Sequence, residues 1–102
     1  MSFKQNFADA IASDARFFIL RELSQQKDGR LSSLSIRRVL DVHSISRDAD
    51  WIATQLRKLE DLGGVELSEA GSMLIARITR TGRDHVEERS FLSGVTTPSE
   101  AE

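Results

Sequence analysis

The chain has 102 residues, 39% hydrophobic and 29% charged, with a single Pro. That is material for one compact core and too little for a multidomain enzyme. There is no cysteine, which excludes disulfides, thiolate metal sites, iron–sulfur clusters and cysteine nucleophiles and fits a reducing cytoplasm.

The net charge of −2 does not advertise a polyanion binder, yet it is unevenly spread. Residues 30 to 83 carry nine basic against seven acidic groups, and residues 84 to 102 one against five. No apolar run approaches the roughly 18 residues of a membrane helix, and the opening MSFKQNF lacks the apolar stretch of a signal peptide. A cytoplasmic protein with no membrane partner is expected.

From Phe3 to about Gln25, apolar residues recur at helical spacing (Phe3, Phe7, Ile11, Ala15, Phe18, Ile19, Leu23), with Phe17 and Leu20 widening the stripe. The spacing fits one long helix, or a short one followed by a longer one beginning near Ser13 and Asp14. The polar run Gln25–Gly29 reads as a helix exit. Leu31 can add a short strand residue before a second helix that begins at Ser32 or Ser33 and ends near Val42. Leu34, Val39 and Leu40 are expected inward on it, and Arg37 and Arg38 outward.

His43, Ser44 and Ile45 form a turn. Ser46 is the expected N-cap of a third helix, residues 46–62, with Asp48 and Asp50 in its favourable first turn. Ala49, Ile52, Leu56 and Leu59 share its apolar face, Arg47, Thr54, Arg57 and Lys58 lie away from that face, and Trp51 sits at the boundary. On such a helix Arg47 and Lys58 project within about 20° of each other. Gly63 supplies the C-terminal cap.

Two apolar runs around the Gly-containing loop 68–72 read as a β-hairpin, and Thr79 caps a last short helix reaching about Arg89 despite Gly82. The expected domain is residues 1–89, followed by a mobile acidic tail, 90–102, that adds little to the core. Helix, helix, turn, longer helix, hairpin and short helix make an α+β, mostly helical winged helix-turn-helix: a three-helix core, a two-stranded wing and a C-terminal helix.

The segment Ile45–Val65 (ISRDADWIATQLRKLEDLGGV) resembles the recognition helix and first wing strand of ArsR-like and MarR-like regulators. The run Ile78–Gly82 is similar to the Leu-Thr-x-x-Gly step that leaves the second wing strand there. Over nearly its whole length the chain resembles the small ArsR-like winged-helix proteins of Mu-like bacteriophages and prophages. The shared features are the opening Met1–Phe7, Ile19-Leu20-Arg21, Ser46-Arg47-Asp48, and Gly94-Val95 with Pro98. It departs from that group in a longer start to the third helix and in an acidic rather than basic tail. The resemblance implies a phage or prophage protein that works in the cytoplasm of a bacterial host and binds double-stranded DNA.

The residues expected at the duplex are Arg37, Arg38, Ser46, Arg47, Thr54, Arg57, Lys58 and Arg77, with arginine suited to guanine edges and Lys or Thr to phosphates. A solvated helix face is the competing reading, because Asp50 and Asp61 stand among them. The hairpin loop carries Glu66 and Glu69, so the wing tip is not expected in a minor groove, and a protein-interaction adaptor of phage assembly or DNA packaging is the rival function. An apolar patch of Phe3, Phe7 and Phe17 would support that rival or a homodimer through the first helix.

Trp51 is read as packing against the second helix, and His85 as an isolated surface residue. Asp41, His43, Asp48 and Asp50 could be drawn together as a metal site, but the helix dipole already accounts for Asp48 and Asp50. No catalytic residue, metal or cofactor is expected.

Overall fold

The computed structural model describes residues 3–101, with side chains from residue 6 onward. The chain forms an α+β fold of four helices and a small antiparallel sheet: α1 (Phe3–Gln25), β1 (Arg30–Ser32), α2 (Ser33–Val42), α3 (Ala49–Asp61), β2 (Val65–Ala70), β3 (Met73–Ile78) and α4 (Arg80–Val86). The strand order is β1-β3-β2, so the hairpin gains a third strand. Among the described residues no helix is long and apolar enough to cross a membrane.

Helix α1 is a single element with no break at Ser13. It packs against α2, α3, α4 and β3, which is why its buried residues exceed one stripe. Ala15, Ile19 and Leu23 line one face, Leu20 flanks it, and Phe17, on the opposite side, is also buried, at 2% exposure. Phe17 therefore cannot belong to the expected surface patch. Phe7 is exposed, and the side chain of Phe3 lies outside the described residues.

The starts of α2, α3 and α4 follow one rule: an extended residue whose side-chain oxygen accepts an early backbone N–H. Ser32 accepts from Ser35 N (3.2 Å), Asp48 from Trp51 N (2.8 Å) and Thr79 from Gly82 N (3.1 Å). The cap of α3 is thus Asp48 and not Ser46. A carboxylate serves the orphan amides and the positive helix end together, and Ser46 turns back to donate to Asp41 Oδ1 at 3.0 Å. The N-cap of α3 lies two residues past the expected one, the helix itself starts at Ala49, and Arg47 and Ala49 are exposed.

The same three helices stop in the same way. In α3, Gly63 N donates to Glu60 O (2.9 Å) and Gly64 N to Leu59 O (2.8 Å), with Gly63 at φ +83°, the Schellman arrangement. Ser44 (φ +63°) ends α2 through Ser44 N to Asp41 O and Ile45 N to Leu40 O, and Glu88 (φ +61°) ends α4 through Glu88 N to His85 O and Arg89 N to Asp84 O. Helix α4 therefore stops at Val86, short of Arg89.

In α2 the buried positions are Ile36 and Leu40, one turn apart, with Val39 beside them. Leu34, expected inward, is 47% exposed because it projects about 160° from Ile36.

The β2–β3 register runs from Val65↔Ile78 to Ala70↔Met73, leaving a two-residue Gly71–Ser72 turn tighter than the expected loop. Val65, Leu67, Leu74, Ala76 and Ile78 face the helices, and Glu66, Ser68 and Arg77 face away. Strand β3 continues into α4 through Thr79, whose hydroxyl donates to Gly63 O at 2.6 Å and whose N–H donates to Gly64 O at 3.1 Å. A Cβ on Gly82 would lie 2.3 Å from Gly64 O. That contact accounts for a glycine inside this helix.

Two expectations about the C-terminal region are corrected together. His85 is fully buried: its Nδ1 accepts from Leu92 N (2.9 Å) and its Nε2 lies 2.9 Å from Thr96 O. Beyond it the segment lies along α1, where Thr96 N donates to Ser13 O (3.2 Å), Thr96 Oγ1 donates to Asp14 Oδ1 (2.6 Å) and Val95 is buried in the core. Hydrophobic content alone did not reveal this segment's place in the core, because its attachment is made by hydrogen bonds to residues about 80 positions away.

Candidate nucleic-acid interface

Helix α3 presents three strips. Ile52, Leu56 and Leu59 are buried, and so is Gln55 at 4% exposure, a polar residue absent from the sequence expectation. Opposite them stand Asp50, Thr54 and Asp61, the two carboxylates forming the centre of the outward ridge. Arg57 and Lys58 flank that ridge on different sides, as neighbours on a helix must.

Arg57 faces the hairpin and Lys58 faces α1. A groove between the N-terminal ends of α2 and α3 and the hairpin tip has two adjoining parts of about 350 and 320 Å³. Arg37 lines the first and Arg57 the second, with Ser33, Ala49, Ser72 and Met73 common to both. Asp50 and Glu69 also line the second part, so the groove's formal charge is balanced. Lys58 instead borders a hollow of about 390 Å³ with Arg16, Asp9 and residues 93–94. Arg38, adjacent to Arg37, turns to a shallow recess beside Glu22, Val42 and His43.

The remaining expected residues have partners within the protein. Arg77 pairs with its cross-strand neighbour Glu66. Thr54 Oγ1 donates to Asp50 O at 3.0 Å, and the Ser46 hydroxyl is held by Asp41. Arg47 donates to Ser46 O (3.2 Å), and its guanidinium lies 5.3 Å from the Trp51 ring centroid, a cation–π contact on an exposed loop. Because Arg47 precedes the helix, the shared projection expected for Arg47 and Lys58 does not apply. Of the eight expected residues, Arg37 and Arg57 are the two brought to one groove.

Three of the four side chains considered as a metal set are otherwise engaged. Asp41 accepts from Ser46, Asp48 caps α3, and His43 stacks on Phe18 at 3.9 Å with ring planes 5° apart. Among the described residues no group of three or more His, Cys, Asp or Glu could hold a metal ion.

Sequence reasoning passed over Arg16. It lies within the first helix's apolar run, and its partners, Gln55 Oε1 (2.9 Å from Nε) and Gly94 O (2.6 Å from Nη1), are 39 and 78 residues away. Burial holds its guanidinium below the usual arginine range, while the charge of Asp9 acts in the opposite sense.

No family model, curated protein or solved structure matches the chain. Function is therefore argued from the site's geometry and charge.

Proposed function

We propose that this chain is a winged-helix DNA-binding protein, a transcriptional regulator of the ArsR-like phage or prophage kind it resembles, acting in the cytoplasm of a bacterial host. The observation that carries this reading is the order α2, tight turn, α3, hairpin, with Arg37 and Arg57 standing on either side of the groove between them. In this arrangement α3 approaches the major groove and β2–β3 forms the wing. Arg57 and Arg37 contact phosphates or base edges from the groove, and Lys58 reaches the backbone from the other flank. The wing contributes no cationic tip, because Arg77 is paired with Glu66 and Glu69 stands near the turn. No catalytic step and no cofactor are assigned.

The test is fluorescence anisotropy with labelled duplexes from the neighbouring genome at several salt concentrations. Affinity should fall as salt rises, and Arg57→Ala should weaken binding and reduce the salt slope by about 1 if Arg57 holds a phosphate. An absence of salt-dependent affinity for any duplex at low ionic strength would overturn the proposal.

One observation favours a second reading. Leu34 and Met73 are exposed apolar side chains in the same groove as Arg37. A protein-binding adaptor would use such a surface, and its partner would protect Leu34 and Met73 from labelling even at high salt, where duplex binding is lost.

A further inference from the structure

We infer that the hollow between α1, α3 and the C-terminal segment is a binding site for a phosphate-type oxyanion. The hollow is separate from the groove proposed for the duplex, and its lining includes Arg16, Lys58, Ser13, Ser93, Asp9 and the apolar Leu62.

Arg16 carries the argument. Its guanidinium is fixed from two directions, by the buried Gln55 amide of α3 and by the Gly94 carbonyl, so two of its five N–H groups are used and its orientation is set before any ligand arrives. Placing an amide in an apolar helix face is costly unless it is satisfied, and Arg16 is the group that satisfies Gln55. The result is a partly desolvated cation with no close ion pair among the described residues, on which the charge of Asp9 acts from the same rim. A structural tie between α1 and α3 would not require a full charge at the rim of an open hollow.

Lys58 approaches the same hollow from α3 as a second cation, also without an ion pair among the described residues. Ser13 of α1 and Ser93 of the C-terminal segment, both hydroxyl-bearing residues, also line the hollow. A planar fork, a point charge and hydroxyls around one cavity suit a tetrahedral anion with several acceptor oxygens better than a carboxylate, which one arginine satisfies alone. Asp9 lies on the same rim and reduces the local charge, which fits reversible rather than tight binding. The phosphate can belong to a DNA backbone that passes this flank of α3 or to a free phosphorylated solute. The site does not depend on the DNA reading.

The experiment titrates the full chain with inorganic phosphate at constant ionic strength, using chloride and acetate as controls and following backbone amide and Arg Nε signals by NMR. The expected result is a saturable shift at Ser13, Arg16, Ser93 and Gly94 with phosphate and none with acetate. Lys58→Gln, an exposed substitution that leaves the core intact, should weaken the apparent affinity by about fivefold or more, close to 1 kcal/mol. Arg16→Lys should weaken it further, and if that variant unfolds, Lys58→Gln still decides. Displacement of phosphate by a short duplex would identify the ligand as backbone phosphate, and persistence in its presence would identify a free solute; both uphold the site. Equal shifts with acetate, a non-saturating response, or unchanged affinity in Lys58→Gln would overturn it. Failure of duplex binding with phosphate binding intact would remove the DNA reading alone.

Discussion

Individual side chains show how far periodicity carries. Leu56 is fully buried at the centre of α3's apolar face, so Leu56→Ala should cost about 2–5 kcal/mol through lost transfer energy and a residual cavity. A denaturant titration showing less than about half a kcal/mol would mean the site collapses freely or the face is misassigned. Glu100 illustrates a different kind of local order. Its carboxylate accepts from both the N–H and the hydroxyl of Thr97 (2.9 and 2.8 Å), and the backbone bond first, then the hydroxyl, hold it below the usual glutamate range. Its contribution to stability is therefore present above the ordinary glutamate pKa and fades as pH falls through the lowered one. Carboxyl NMR should find Glu100 titrating below the ordinary glutamate range, and Thr97→Val should raise it. A Glu100 that titrates within the ordinary glutamate range would show that the contact does not persist in solution.

At the scale of elements, the starts and stops of helices are chemical decisions made by single residues. Gly63 takes a left-handed conformation that glycine reaches without penalty, whereas Ser44 and Glu88 hold the equivalent position with a Cβ. Ser44→Gly should therefore stabilise the protein by about 1 kcal/mol, reduced by the extra freedom glycine gives the unfolded chain. Thermal unfolding of the variant checks it, and a loss of stability would show that the Ser44 side chain contributes more than its strain costs. The sequence reading put the cap of α3 at Ser46 and left Asp48 in the first turn, although both residue types serve at N-caps. The structure puts the cap at Asp48, whose carboxylate accepts from Trp51 N, while the Ser46 hydroxyl donates to Asp41. That two-residue difference moved Arg47 off the helix and changed which basic groups share a surface.

For the whole molecule, the C-terminal segment closes the fold. Removing residues 92–102 would strip His85 of both ring partners, release Asp14 from Thr96, detach Gly94 from Arg16 and take Val95 out of the core. Val burial of roughly 1.5–3 kcal/mol, together with about 1 kcal/mol for each net hydrogen bond, makes a loss of about 3 kcal/mol or more the expected result of truncation after Phe91. An unchanged denaturant midpoint would show that the segment lies on the surface without stabilising it. His85 was unreadable as a core residue because its burial depends on the strap at residues 92–96, which carries no helical or strand periodicity.

The sequence by itself determined the inward faces of α2 and α3 apart from Leu34, Ile36, Ala49 and Gln55, the glycine cap at Gly63, the hairpin and the Thr79 cap, while leaving open whether the first helix was one or two. These depend on contacts within a few residues, which periodicity and side-chain chemistry record directly. Tertiary structure alone decided that Phe17 and His85 are interior, that Val95 belongs to the core and that Gln55 is buried to meet Arg16. It also decided that the basic residues are divided among separate surfaces, with Arg37 and Arg57 at the groove, Arg38 in a shallow recess and Lys58 at the α1 hollow. A helical pattern reports a residue's direction from its own axis. Which neighbour lies in that direction is set by packing between elements far apart in the chain, and charge placement follows from that packing.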